Sequence, residues 1–546
     1  MTSARGSKHR LRIAAIPLAV LGVAALVAAL APGAVAWRRP PRARVLTVGS
    51  WRGRRGDFRS IQAAVDAARP GDWILVGPGD YHERGDRDPS NSAYADEGAG
   101  VLVTKPGIHI RGMSRTGVVV DGTLPGSPEC SAKGADQDPG PLDSAGHPLG
   151  RNGIEAFKAS GVSVENLTVC NFLSGAGDSG NEIWFNGGDG SGQIGAGAYL
   201  GRYLSATSTY YGDTSTPAAA YGLFASNSRG PGLWAHTYAS NMNDSSYYIG
   251  ACPDCNATVT DAHAQYSVLG YSGTNSGGRL VLERSEWDHN QAGIVTNSQN
   301  NDDAPSPQLG LCPGSQTRSC TIFRDNYVHD NNNPNVPSAG TAALGPVGSG
   351  IVIAGGRFDT IARNRVVRNG AWGVLLVPFP DTGTPPPISH CEGGITNGPL
   401  PGCYYDNWGN RVLANTFSGN GFFGNPTNGD LAEISDTHTP GNCYRGNRAL
   451  GGGAVTSTPP DVQTTHADCA ATNQGEGPFS ALGIQVICNT QLLGPCPPAP
   501  GMDYPRPTKI VMPPLPRGLR SMPDPCAGVP RNAFCTWPGR WRGRWR

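Results

Sequence analysis

From residue 45 to about 495, apolar residues come in short β-branched runs broken by Gly, Asn, Asp and Pro, with almost no sustained helical period. That alternation of strand and turn predicts an all-β chain. One early segment breaks the pattern. Asp57 stands where it can cap a helix whose apolar residues Ile61, Ala64, Val65 and Ala68 fall at i, i+3, i+4 and i+7. Arg69-Pro70-Gly71-Asp72 ends it, and Trp73–Val76 reads as a strand closed by Gly77-Pro78-Gly79.

The polar positions also repeat. Four hexapeptides carry asparagine at both ends: NLTVCN (166–171), NYVHDN (326–331), NRVVRN (364–369) and NTFSGN (415–420), with SEWDHN (285–290) as a near match. Gly-apolar starts follow at Gly293-Ile294-Val295, Gly350-Ile351-Val352 and Gly373-Val374-Leu375. Recurrence at this step predicts a solenoid, in which stacked coils bury their apolar positions and stacked asparagine amides bond along the axis. The repeated asparagines are therefore read as structural before any ligand role.

The stretch FRSIQAAVDAARPGDWILVGPGDYHE (58–83) resembles the entry segment of right-handed parallel β-helix proteins of the pectin-lyase-like superfamily. The resemblance implies a right-handed parallel β-helix whose open end is plugged by the 58–68 helix. It implies no single activity, because lyases, hydrolases, epimerases and non-catalytic surface proteins share the fold. The Gly-His-Gly and Arg-x-Lys motifs of the pectin hydrolases and the Asp-Pro-His-Asp motif of alginate epimerases do not occur, which makes a glycoside hydrolase the weaker enzyme reading. Trp287-Asp288-His289 is similar to an aspartate-histidine signature of calcium-dependent pectate lyases.

The expected domain spans 45–495. Long insertions leave at 297–320 and 378–406 after Gly-apolar strands, and another interrupts the chain at 332–349. Insertions from one corner of a solenoid can wall a groove. Residues 496–546 are proline-rich and lack alternation, as expected of an extended segment packed along the solenoid or trailing from it.

Composition narrows the setting. Lys8, Arg10 and Arg12 precede an apolar run, Ile13–Ala31, and Ala34-Val35-Ala36, so residues 1–36 read as a signal peptide or a retained membrane anchor. Fourteen cysteines in an exported chain suggest disulfides. The spacing suggests Cys252/Cys255, Cys312/Cys320, Cys391/Cys403, Cys488/Cys496 and Cys526/Cys535, leaving Cys130/Cys170 and Cys443/Cys469. Cys252-Pro-Asp-Cys255 lacks the second half-site that zinc needs. A formal charge of +1 argues against nucleic acid, and a monomer is expected. The Trp/Arg-rich end, Trp537 to Arg546, is either a frayed terminus or a tether to an anionic cell-wall polymer or lipid surface.

Candidate chemistry follows from the two-residue strand period. The third hexapeptide position, Trp287, Val328, Val366 and Phe417, should face the core, and the fourth should point outward. Asp288 and His329 should then stack about one strand spacing apart, within hydrogen-bonding reach, with His289, Asp330 and Arg368 following at the turn. Carboxylates that orient imidazoles, beside an arginine able to meet a developing anion, suit proton abstraction next to a uronate carboxylate. Such a ladder could equally serve only to tie coils together.

A second candidate is VTNSQNNDDAPSPQ (295–308). Asn297, Gln299, Asp302 and Asp303 are candidate substrate ligands, and Asp302 and Asp303 candidate Ca²⁺ ligands. Adjacent aspartates on a strand face opposite ways, so this pair makes a poor acid/base couple; turn formation, ion or substrate binding, and direct catalysis all stand. Middle-coil aromatics, Tyr210, Tyr211, Tyr247, Tyr248, Tyr266, Tyr271, Trp184 and Trp234, suit sugar stacking or wall packing. The sequence thus supports an exported β-helix that binds and modifies an acidic polysaccharide or cell-wall glycan as a lyase or epimerase. The alternative is a non-catalytic cell-envelope structural or adhesive protein.

Overall fold

The computed structural model describes residues 43–85, 98–177, 179–212, 217–299, 319–381, 394–395, 403–434, 441–470, 482–483, 485–486 and 504–535. Residues 1–36, Asp302, Asp303 and the Trp537–Arg546 end lie outside them. Among the described residues, no helix is long and apolar enough to cross a membrane.

The chain winds as a right-handed parallel β-helix with, among the described residues, three long sheets of 12, 11 and 11 strands. One coil shows the plan: Leu280–Glu283 joins the first sheet, Glu286–Asp288 the second and Ala292–Asn297 the third. The short second-sheet strands pair in parallel without slippage, Ala264 to Trp287, Trp287 to Val328, Val328 to Val366 and Val366 to Phe417. All five of these middle residues are fully buried. Hence the residues on either side of each point outward.

The asparagines form two ladders along the axis. Between the first and second sheets, Asn326 donates its amide to Asn364, Asn364 to Asn415 and Asn415 to Asn447, each at 3.0 Å. Between the second and third, Asn290 donates to Asn331 at 3.1 Å, Asn331 to Asn369 at 3.2 Å and Asn369 to Asn420 at 3.2 Å. NLTVCN, however, is one residue out of step. Thr168–Cys170 is its strand, so Asn166 and Asn171 take the left-handed turn positions (φ 58° and 60°), and Phe172 falls where the others place asparagine. There the buried Glu182 carboxylate accepts the Phe172 N–H at 3.4 Å, and burial holds its carboxyl well above the usual range.

The plug helix is Ile61–Ala67. Its N-cap is Ser60, not Asp57, because Asp57 is spent on Thr47, whose hydroxyl it accepts at 2.8 Å. The buried Glu83 carboxylate takes the freed Ile61 and Gln62 N–H groups. Among the described residues, four of the expected disulfides are formed: Cys130–Cys170, Cys252–Cys255, Cys443–Cys469 and Cys526–Cys535. Cys320 and Cys403 are also disulfide-bonded, and the cysteines expected to pair with them lie outside the described residues.

Residues 504–535 run back along the solenoid. Val511 donates to the Asn335 carbonyl, the Pro513 carbonyl accepts from Asn241, Met522 donates to Asn166, and Phe534 packs with Leu75 and Met113. Asn241 lies at the corner after the second sheet and Asn166 at the corner before it. The segment therefore crosses the outer face of that sheet, and the outward residues Thr168, Ser205, Thr207 and Ser240 are buried in these coils.

Replacing Asn364 by Ala removes a ladder amide, taking from the buried Asn326 N–H its acceptor and from the Phe323 carbonyl its amide donor. We expect a loss of about 1–3 kcal/mol in denaturant unfolding; no loss would remove the ladder from the account of stability.

Candidate functional site

The second sheet presents three outward rows, which run out from under the C-terminal segment at Ser240 and Asn241. Tyr238, His263, Glu286, Tyr327 and Arg365 form the first, and Ser240, Gln265, Asp288 and His329 the next. The third is the turn itself, Asn241, Tyr266, His289, Asp330 and Arg368, all left-handed with φ between 53° and 65°. A positive φ swings each turn side chain back beside the strand residue before it.

That geometry decides which pairs form. Asp288 and His329 do align in register, but the expected bond between them is replaced by others. The His289 Nδ1 bonds the Asp288 Oδ2 of its own turn, and His263 Nε2 bonds Asp288 Oδ1 from the preceding coil at 2.6 Å. His329 turns Nδ1 to Asp330 at 2.8 Å and Nε2 to Glu286 at 3.1 Å. Adjacent-residue contacts win because the left-handed turn brings them closer than the coil spacing of about 4.8 Å. Arg368 then grips Asp330 with Nε at 2.7 Å and a second bond through Nη2.

Electrostatics follow the contacts. Burial alone would raise the Asp288 carboxyl, but hydrogen bonds from His263 and His289 hold it far below the usual carboxylate range. The Asp288 bond raises His289. Burial opposes charge on His329, yet bonds to Glu286 and Asp330 outweigh it and raise that imidazole too. The His329 bond lowers Glu286, and Arg368 lowers Asp330 against its burial. Access differs between the two imidazoles: the His289 side chain is 47% exposed and that of His329 10%.

The row thus gathers Asp288, His289, His329, Asp330 and Arg368 as expected, together with His263, Gln265 and Glu286, which were missed. Two signals pointed to these. Period two makes the second hexapeptide position as outward as the fourth, which exposes Glu286, and Ala262–Ser267 is a coil of the same plan that ends in serine.

Asn297 and Gln299 are not part of this row. Asn297 ends a third-sheet strand and accepts the Thr274 hydroxyl at 2.8 Å, while Asn275 clamps the Gln299 backbone. The 297–320 and 378–406 insertions leave from one corner, after the Gly-apolar strands Ala292–Asn297 and Trp372–Val377, as expected, and those strands belong to the third sheet. Among the described residues, the segment 332–348 lies beside the Asp/His row: Asn333 donates to the His289 carbonyl at 3.1 Å and Asn332 to that of Arg368 at 2.7 Å. The aromatics divide similarly. Tyr247, Tyr271 and Trp234 are core, and Trp184, Phe224 and Tyr248 pack on one another with little exposure.

Two groups among the described residues offer one imidazole and two carboxylates to a metal: Asp80, His82 and Asp121, and His263, Glu286 and Asp288. The suggested calcium ligands Asp302 and Asp303 lie outside the described residues.

No family model matches the chain. No curated protein matches it either. Among solved structures, it is similar to the A-module of a mannuronan C-5 epimerase from Azotobacter vinelandii, at 13% identity over 71% of this chain and 90% of that one, TM-score 0.37. It is also similar to an alginate lyase from Paenibacillus sp., at 12% identity over 76% and 98%, TM-score 0.29. A rhamnogalacturonan lyase matches at 10% identity over 80% and 88%, TM-score 0.40. Likeness at this level says nothing about activity. The strand registers themselves define the class, a right-handed parallel β-helix.

The paired shifts have a definite sign. A raised His289 contributes stability below its unfolded value of about 6.5 and loses it as pH rises through the folded value. A lowered Asp288 contributes above about 3.9 and loses that as pH falls through its folded value. The pair is therefore strongest between those two limits. Imidazole NMR should show His289 titrating above 6.5 and D288N bringing it down; an unchanged titration in D288N would contradict the pairing.

Proposed function

We propose that this chain is an exported glycan-acting protein that binds an acidic polysaccharide across the outer face of its second sheet and moves a proton on a uronate unit. The observation that carries the reading is Asp288, buried and held between imidazoles of two coils, with His289 of that pair half open to solvent. Disulfides among the described residues support an oxidising, extracytoplasmic setting.

In this reading His289 touches the sugar, and Asp288 fixes the ring and favours its charged form. Neutral His289 takes the proton next to the uronate carboxylate, and the electron pair spreads into that carboxylate as an enediolate. Arg368, with its side chain 54% exposed, meets the growing charge. Protonation of the other face by water, with the His289 imidazolium releasing its proton to solvent, gives the epimer; expelling the neighbouring glycosidic oxygen, which takes its proton from the His289 imidazolium or water, gives an unsaturated end. His329 is too enclosed for first contact and, with Asp330, holds Arg368 in place. The base must be neutral, so the rate should climb as pH rises through the raised imidazole value.

A second reading, glycan binding without chemistry, is favoured by one feature. Arg368 and Asp330 already satisfy each other through two hydrogen bonds, as members of a purely structural ladder would.

The full chain incubated with polyuronides and neutral glycans tests both, reading unsaturated products by ultraviolet absorbance and epimers by NMR. We expect turnover of at least one polyuronide, lowered about 10²–10⁴-fold by H289A, with the rising limb of the pH profile moved down by D288N. Binding with no product from any glycan would leave the non-catalytic reading. Turnover unaffected by H289A would move the chemistry elsewhere.

A further inference from the structure

We propose that His263, Glu286 and Asp288 form a binding site for a first-row transition dication such as Zn²⁺ or Co²⁺. Their three ligand atoms, His263 Nε2, a Glu286 carboxylate oxygen and Asp288 Oδ1, lie within 4.8 Å of one another. Tetrahedral zinc with bonds of about 2.0 Å sets its ligands roughly 3.3 Å apart. The separations of 2.6 Å from His263 Nε2 to Asp288 and 4.0 Å to Glu286 bracket that value.

Three further features favour an ion over a simple hydrogen-bonded triad. First, the ligands stand on adjacent strands in a fixed parallel register, His263 opposite Glu286 and Gln265 opposite Asp288, so the site is held by sheet geometry. Second, their outer atoms are already oriented. Gln265 donates to Asp288 Oδ2 at 2.6 Å and is itself held by the Tyr238 hydroxyl at 3.1 Å, while His329 Nε2 bonds Glu286 Oε1 at 3.1 Å. Outer partners of this kind fix metal ligands in orientation.

Third, the counter-charges here are imidazoles, as they also are for Asp80, Asp143 and Asp261, whereas many carboxylates of the molecule face an arginine. Asp330 pairs with Arg368, Asp325 with Arg363, Glu283 with Arg324, Asp254 with Arg279, and Glu165 with Arg111 and Arg202. Glu286 and Asp288, among the described residues, have only imidazoles opposite them. An imidazole can release its proton and become a ligand, which a guanidinium cannot. The nitrogen donor favours Zn²⁺ or Co²⁺ over Ca²⁺, which takes oxygen. Oδ2 of Asp288 stays with His289, so the ion and the proton-transfer pair share a carboxylate without competing for one oxygen.

The test needs no glycan, so its failure and that of the glycan reading are separable. The full chain, stripped with a chelator, is titrated with Zn²⁺ by calorimetry and with Co²⁺ by visible absorption. We expect one equivalent bound with a Co²⁺ ligand-field spectrum, at least tenfold weaker binding in both H263A and E286Q, no change in H147A and no displacement by excess Ca²⁺. If H263A does not fold, H263Q, which keeps a side chain able to bond Asp288, gives the same reading. No binding by the parent chain, full affinity in H263A or H263Q, or loss on H82A instead would overturn the assignment.

Discussion

In-register stacking is the constraint on which the rest of this molecule depends. Each coil must set its three strands directly over those of the coil before, because the buried middle residues of the second sheet, Ala264, Trp287, Val328, Val366 and Phe417, have no other place to go. A slip of one residue would turn them outward and the charged rows inward. The two asparagine ladders oppose such a slip, since each amide bonds the next coil's amide and the backbone at once. Once register is fixed, the outward rows are fixed with it, and the polar site follows from the fold without a dedicated scaffold.

The turn conformation decides what that site contains. A left-handed residue after each short strand carries its side chain back alongside the strand, so Asp288 meets His289 and His329 meets Asp330 within their own coils. Contacts between coils then fall to the longer side chains, His263 to Asp288, His329 to Glu286 and Arg368 to Asp330. The C-terminal segment completes the arrangement by burying the same face in earlier coils, which leaves the His/Asp/Arg stretch open.

Much of this was legible in the sequence. The hexapeptides declared the solenoid and its inward positions, and FRSIQAAVDAARPG declared the plug helix. The limits were also physical. Identical end residues suggested that NLTVCN shares the common register, yet its asparagines suit the left-handed turn as well as the ladder, and the backbone uses them there. Pairing by strand position set Asp288 against His329, because a linear alignment contains no φ angle. His263 escaped notice because its coil ends in serine.

The central claim is that an acidic glycan lies across the outward rows of the second sheet. Carbethoxylation of histidines, mapped by mass spectrometry with and without a bound polyuronide, tests it most directly. The account predicts that His289 and His263 are modified in the free protein and protected by the glycan, while exposed His147 reacts equally in both. A polyuronide that binds tightly and leaves His289 and His263 fully reactive would contradict it.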